Sequence, residues 1–226
     1  MTVLYEDNHI IAVNKTCNEI VQGDKTGDTP LSEIVKAYIK DKYNKPGEVF
    51  LGVTHRLDRP TSGVVLFART SKALTRLNEM FKSHEKIKKT YWAIVQNAPK
   101  QPQARLENWL VRNEKQNKSY IAKPGTKDAK LAVLTYSVIA KSDNYTLLEI
   151  QLETGRHHQI RCQLAALGCP IKGDLKYGAK RSNPDGGISL HAHQIAFIHP
   201  VSKQEICITA PVPNDKLWRA ITHDLV

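Results

Sequence analysis

Thr54–Ala68, THRLDRPTSGVVLFA, crowds His55, Arg56, Asp58 and Arg59 around one turn and then runs into an apolar strand. Pro60, Thr61, Ser62 and Gly63 supply the turn, and taken alone Asp58 reads as a residue that caps it or pairs with a neighbouring arginine. The segments on either side decide the fold. Upstream, VLYEDNHIIAVNK reads as two short strands around a polar turn, followed by a loop through Gly23 and Gly27. Leu31, Ile34, Val35 and Tyr38 recur at helical spacing until Asn44-Lys45-Pro46-Gly47 ends the run, and strand-like EVFLGV leads into the turn.

Downstream, strand-like VVLFART precedes a helix headed by Ser71, with Leu74, Leu77 and Phe81 on one face. TYWAIV, SYIAK, LAVLTYSVIA and TLLEIQLE are β-rich segments between polar turns, and ISLHAHQIAFIHP and EICITA add two more. RHHQIRCQLAALG between them reads as a helix closed by Gly168. Many strands, few helices and no long linker predict an α+β fold, with one domain over residues 1–226 around a large mixed, mostly antiparallel sheet.

Lys and Arg outnumber Asp and Glu by 33 to 22, a formal net charge of +11, and the excess is clustered. Arg112–Lys130 holds six cations and two acids, and Lys82–Lys89 four cations and one acid, a distribution that suits a phosphate backbone as well as a merely solvated face. No stretch approaches the roughly 20 apolar residues of a membrane span, and the first residues lack a secretory pattern, so a cytoplasmic protein is expected. Cys17, Cys162, Cys169 and Cys207 show no metal-ligand spacing and read as reduced thiols, mostly packed inside.

A second dense segment, Glu153–Gly178, turns at Thr154-Gly155 and gathers Arg156, His157, His158 and Arg161 at the start of an apolar helix. Unpaired N–H groups and cations there suit an anion, and Arg161 is placed to face an acid from elsewhere in the chain. His157-His158 and His191-Ala192-His193 resemble metal ligands, yet no Cys, Asp or Glu stands at a recognisable spacing with them, so no metal is expected. No dinucleotide fingerprint, P-loop or G-x-S-x-G turn occurs, and no cofactor is implied.

Five segments in order resemble the RluA-type pseudouridine synthases: LYEDNHIIAVNK, HRLDRPTSG, KKTYWAIV, TGRHHQIRCQLAALGCPIKGD, and LHAHQIAFIHP with APVP. The resemblance implies cofactor-free isomerisation of uridines in ribosomal or transfer RNA. It makes Asp58 the nucleophile, Arg161 its ion-pair partner and Tyr91 the aromatic that packs on the target base. Arg56 fills the gap left by the flipped base, and His55, Arg59, Arg156, His158 and Lys89 become substrate contacts, with Arg56 and Arg59 facing RNA rather than the carboxylate.

The family's NKPxG turn reads Asn14-Lys15-Thr16-Cys17-Asn18 here. With no small N-terminal RNA-binding module expected, RNA contacts fall to Arg112–Lys130 and Lys82–Lys89, and a monomer is expected. Two rival readings are a non-catalytic RNA-binding or ribosome-assembly protein on the same scaffold, and a base-excising hydrolase. The hydrolase wants a second acid that the matched motifs do not offer.

Overall fold

The computed structural model describes residues 1–83 and 86–225. Its packing divides into two compact units, Met1–Lys89 with Ala192–Pro211, and Thr90–His191 with the segment from Val212 onward. Each is built on antiparallel strands with helices, the α+β class expected from the sequence.

In the first unit, β1 (Thr2–Glu6) and β2 (Ile10–Lys15) form a hairpin. Asp7 closes it by accepting the His9 and Ile10 amides at 2.7 and 2.8 Å. β2 pairs with β4 (Ser62–Ala68) from Ile10↔Ala68 to Lys15↔Gly63. All of β4 is buried, which explains an apolar run without alternation. Gly63 is required twice over: its φ is +117°, and a Cβ there would lie 2.3 Å from the Ala192 carbonyl oxygen of β10 (Leu190–Ile198).

β10 turns back through β11 (Glu205–Thr209). EVFLGV yields only the two-residue β3 (Gly52–Val53) on β4, and Phe50 is exposed. Helix α1 (Leu31–Lys42) buries Leu31, Val35 and Ile39, and α2 (Ser71–Ser83) buries Ala73, Leu77 and Met80.

In the second unit the strand order is β5 (Ile87–Val95), β9 (Thr146–Leu152), β8 (Lys130–Lys141), β6 (Gln103–Asn113), β7 (Lys118–Ala122). One side of the sheet buries Ala93, Val95, Leu134, Tyr136, Leu148 and Ile150 with Ile160 and Leu164 of α3 (Gln159–Ala166). Trp92, Ile94 and Leu147 form a separate cluster with Trp218 and Ile221 of α4 (Lys216–Ile221), whose N-cap Asp215 accepts the Leu217 and Trp218 amides. Burial of both faces of β5 fits its near-continuous apolar sequence.

Three further elements differ from the sequence expectation. β6, QARLENWLVRN, was not expected; its Ala104, Leu106 and Leu110 pack inward while Arg105 and Glu107 alternate outward. α4 was not expected either, and α3 begins at Gln159, so that Arg156, His157 and His158 precede the helix and only Arg161 of the expected entry residues lies within it.

Candidate active site

The loop between β3 and β4 carries Asp58, and Lys15 at the end of β2 braces it. Lys15 is fully buried, and its ammonium donates to the backbone carbonyls of Thr16 at 2.9 Å, Arg59 at 2.9 Å and Thr61 at 2.6 Å. Three donors thus meet three acceptors. Burial pushes this ammonium down to about 8, while the Glu19 and Asp58 carboxylates act in the opposite sense. The Asp58 carbonyl accepts the Thr61 amide at 3.0 Å and closes the turn whose carbonyls Lys15 holds.

The Asn14–Asn18 turn is held without the proline and glycine of NKPxG. Asn18 occupies the glycine position with φ 71°, a left-handed conformation that asparagine tolerates, and its amide donates to the Arg59 carbonyl at 3.0 Å. Thr16 replaces proline and so adds an N–H; the Glu19 carboxylate accepts it at 2.7 Å together with the Thr16 hydroxyl at 2.8 Å.

The other loop cations face different ways. Arg56 is exposed. Arg59, expected to face RNA, instead donates to Asp28 at 2.6 Å and to the Thr26 hydroxyl at 2.8 Å, with Asp24 at 3.8 Å. Charge complementarity within the Gly23–Asp28 loop supplies the reason. His55, expected to contact substrate, is a brace: Nε2 accepts the Leu66 amide at 3.0 Å and the ring stacks on Phe81 with centroids 4.7 Å apart. Burial pushes His55 down to about 3, with the Lys89 ammonium acting in the same direction, so the imidazole is neutral. Lys89 itself is buried near the start of β5, and desolvation pushes it down to about 8.

The second unit carries Tyr91, Arg156, His158 and Arg161. Tyr91 is half-buried on β5, opposite Ile150 of β9. Gln159 shapes the turn into α3: its Oε1 accepts the Thr154 hydroxyl at 2.7 Å and the Arg156 amide at 3.0 Å, and its Nε2 donates to the Val133 carbonyl at 3.0 Å. Arg156 is exposed, with Nε donating to the Leu131 carbonyl at 2.8 Å.

Arg161 is 5% exposed and makes a two-pronged bridge to Asp174, Nε to Oδ2 at 2.7 Å and Nη2 to Oδ1 at 2.8 Å. Its Nη1 meets His158 Nε2 at 3.0 Å, and its guanidinium lies 5.1 Å from the Tyr177 ring centroid. His158 was expected to touch substrate; it is buried, with Nδ1 3.0 Å from the Tyr177 hydroxyl and its ring stacked on His157 at 3.8 Å. The φ of +52° at His158 turns the side chain back into the unit.

Lys15 in the first unit, and Gln159, Asp174 and Tyr177 in the second, hold the candidate residues of their own unit and were not singled out from the sequence. The signal for the last two lay in GDLKYG, where an acid and an aromatic follow the helix within one short loop. Among the described residues, no three His, Cys, Asp or Glu side chains gather as a metal site. Cys162 and Cys169 are buried, Cys17 is half-buried and Cys207 exposed, so fewer thiols are packed inside than expected.

A family model described as RNA pseudouridylate synthase matches residues 9–166, the span that holds Lys15, Asp58, Tyr91 and Arg161. The chain belongs to this family. An RNA pseudouridine synthase of Synechocystis, described as uncharacterized, is 34% identical over 94% of this chain and 66% of its own length. The tRNA pseudouridine synthase C of Vibrio cholerae is 31% identical over 99% of this chain and 95% of its own length. The ribosomal large subunit pseudouridine synthase D of Xanthomonas campestris is 32% identical over 99% of this chain and 70% of its own length.

The fold agrees with the human RNA pseudouridylate synthase domain containing 4 at a TM-score of 0.81, with 24% identity over 99% of this chain and 92% of that one. The family's members are isomerases that act on RNA. No helix among the described residues is long and apolar enough to cross a membrane.

Proposed function

We propose that the chain is an RNA pseudouridine synthase that converts specific uridines of ribosomal or transfer RNA into pseudouridine, working as a cytoplasmic monomer without metal or cofactor and as one catalytic domain. The observation that carries this reading is the family match over residues 9–166, with HRLDRPTSG on a loop braced from β2. Relatives named for transfer RNA and for the large ribosomal subunit support both substrate classes.

In this reading Asp58 is the nucleophile and Arg161 the cation that holds it ionised. Ionisation matters because a partly desolvated carboxylate drifts toward its neutral form unless a cation opposes the shift. Tyr91 packs on the target base and Arg56 occupies its vacated place in the RNA, recovering part of the few kcal/mol that unstacking costs. The bond from the ribose carbon to uracil N1 breaks, the ring turns, a bond to C5 forms, and a base removes the C5 proton while N1 gains one. RNA mass is therefore unchanged.

Arg156 and the Arg112–Lys130 segment supply phosphate contacts, whereas Lys89, expected among them, is buried. That segment includes the β6–β7 turn and the edge strand β7, where Tyr120 and Ile121 are exposed and the Lys118 ammonium lies 5.3 Å from the Tyr120 ring centroid. Of the Lys82–Lys89 run, His84 and Glu85 lie outside the described residues.

Carbodiimide-stop sequencing of total RNA tests the reading, in cells lacking the gene and in the same cells carrying wild type or Asp58→Asn. Loss of one or a few pseudouridines, restored by wild type only, is the expected result. Restoration by Asp58→Asn removes the nucleophile assignment; no site lost, with RNA still bound by the purified protein, favours a binding protein; release of free uracil marks a base-excising hydrolase.

A further inference from the structure

We infer that His158 and Tyr177 are positioning residues for the isomerisation, acting through Arg161, and that Tyr177 ties this arrangement to edge strand β7. The inference rests on the reading of Arg161 as the cation that serves Asp58.

The valences of the network fix its protonation. A guanidinium offers only donors, so the 3.0 Å contact between Arg161 Nη1 and His158 Nε2 requires a lone pair on Nε2. His158 is then neutral with its hydrogen on Nδ1, which donates to the Tyr177 hydroxyl at 3.0 Å. That oxygen also accepts the Ser119 amide of β7 at 2.8 Å, and its own hydrogen points to the Ser119 carbonyl at 3.3 Å. Burial first, and the Arg161 charge second, push His158 down to about 2, consistent with this tautomer.

Asp174, 1% exposed, supplies charge balance and two of the contacts that set the guanidinium plane. His158 supplies the third from another direction. The Tyr177 ring lies under the same guanidinium, with the Lys118 ammonium 5.0 Å from its centroid. Without the Tyr177 oxygen, His158 loses the acceptor that holds its hydrogen on Nδ1; the other tautomer would set an N–H against the Arg161 N–H.

Single-turnover isomerisation with enzyme in excess over RNA tests this, because a misfolded fraction lowers the amplitude whereas a misplaced Arg161 lowers the rate constant. Tyr177→Phe removes one oxygen and keeps the ring, and His158→Ala removes the link outright. His158→Gln retains an acceptor for Arg161. We expect the rate constant to fall about tenfold or more in Tyr177→Phe and His158→Ala, with the half-saturating enzyme concentration within about twofold of wild type and most of the rate regained in His158→Gln.

Rate constants within about twofold of wild type in Tyr177→Phe and His158→Ala, or a loss confined to amplitude, would overturn the inference. Equal impairment of His158→Ala and His158→Gln would overturn it too. Asp58→Asn run in parallel separates the two levels: an active Asp58→Asn removes the underlying assignment, whereas an inactive one beside a fully active Tyr177→Phe removes only the positioning role.

Discussion

Replacing Lys15 by methionine isolates what holds the Asp58 loop in place. Methionine preserves the length and much of the apolar bulk of the side chain but leaves the Thr16, Arg59 and Thr61 carbonyls without their donor. Hydrogen bonds to a charged group contribute roughly 1.5–3 kcal/mol each, so the set is worth about 5–9 kcal/mol before the cost of burying the ammonium. Lowering the ammonium from 10.5 to about 8 corresponds to a cost of about 3–4 kcal/mol at ~1.4 kcal/mol per unit. The net loss should be about 2–5 kcal/mol, which for a chain of this size lowers Tm by about 5–15 °C.

Lys15→Arg should not rescue, because a planar fork cannot direct single donors at three converging carbonyls. Two of the carbonyls belong to the turn that follows Asp58, so single-turnover activity at a temperature where the variant is folded should also fall, by about tenfold or more. Differential scanning fluorimetry and the RNA assay together decide. A Lys15→Met protein with Tm within about 2 °C of wild type and an unchanged rate would show that the loop holds its shape without the brace.

Gly63→Ala should fail to give soluble protein or lose more than about 3 kcal/mol by urea unfolding, since the new Cβ meets β10 backbone at a φ that disfavours side chains. Acid should destabilise the fold through His55, whose folded pKa of about 3 lies below the unfolded 6.5. As pH falls between these values the unfolded chain takes up a proton that the folded chain refuses, so His55→Gln, which still accepts the Leu66 amide but does not titrate, should flatten the loss of stability by about 1.4 kcal/mol per pH unit between pH 6 and 4. Parallel slopes for wild type and variant would refute that. Lys118→Ala and Lys123→Ala should weaken RNA binding and each reduce the slope of log affinity against log salt by about one, measured by fluorescence anisotropy; an unchanged slope removes that lysine from the phosphate-contacting surface.

Strands with strong β-formers were legible from the chain: β2, β4, β5, β8 and β9 fall where apolar and β-branched residues run together. β6 was not, although its alternation is regular, because Arg, Glu, Asn and Gln fill most of its positions and cross-strand partners supply the stability. Arg105 makes two 3.0 Å bonds to Glu153, 48 residues away. EVFLGV has strand-like residues but little to pair with, and shrinks to β3. α4 holds through Trp218 and Ile221 packing on Trp92, Ile94 and Leu147, a tertiary contact that six residues of sequence cannot announce. At the candidate site, THRLDRPTSG singled out Asp58 as a candidate, but Lys15 could not be read as a brace of that loop because two of its acceptors lie 44 and 46 residues on.

Why one carboxylate sits among so many cations now has a physical answer within each unit. The cations differ in what they are committed to. Lys15 points its three donors at carbonyls, and Arg59 turns to Asp24 and Asp28 across the neighbouring loop. His55 is not a cation at all: a half-buried neutral ring that accepts a backbone amide contributes shape without charge. In the second unit Arg161 is balanced by Asp174 and fixed by a neutral His158, so its orientation is set before any substrate arrives. Placement of this kind matters for an isomerase, because groups fixed in advance need no reorganisation during the reaction. On the proposed reading, in which Asp58 attacks and is released, a cation already oriented by other partners favours the reacting state without a cost of reorganisation.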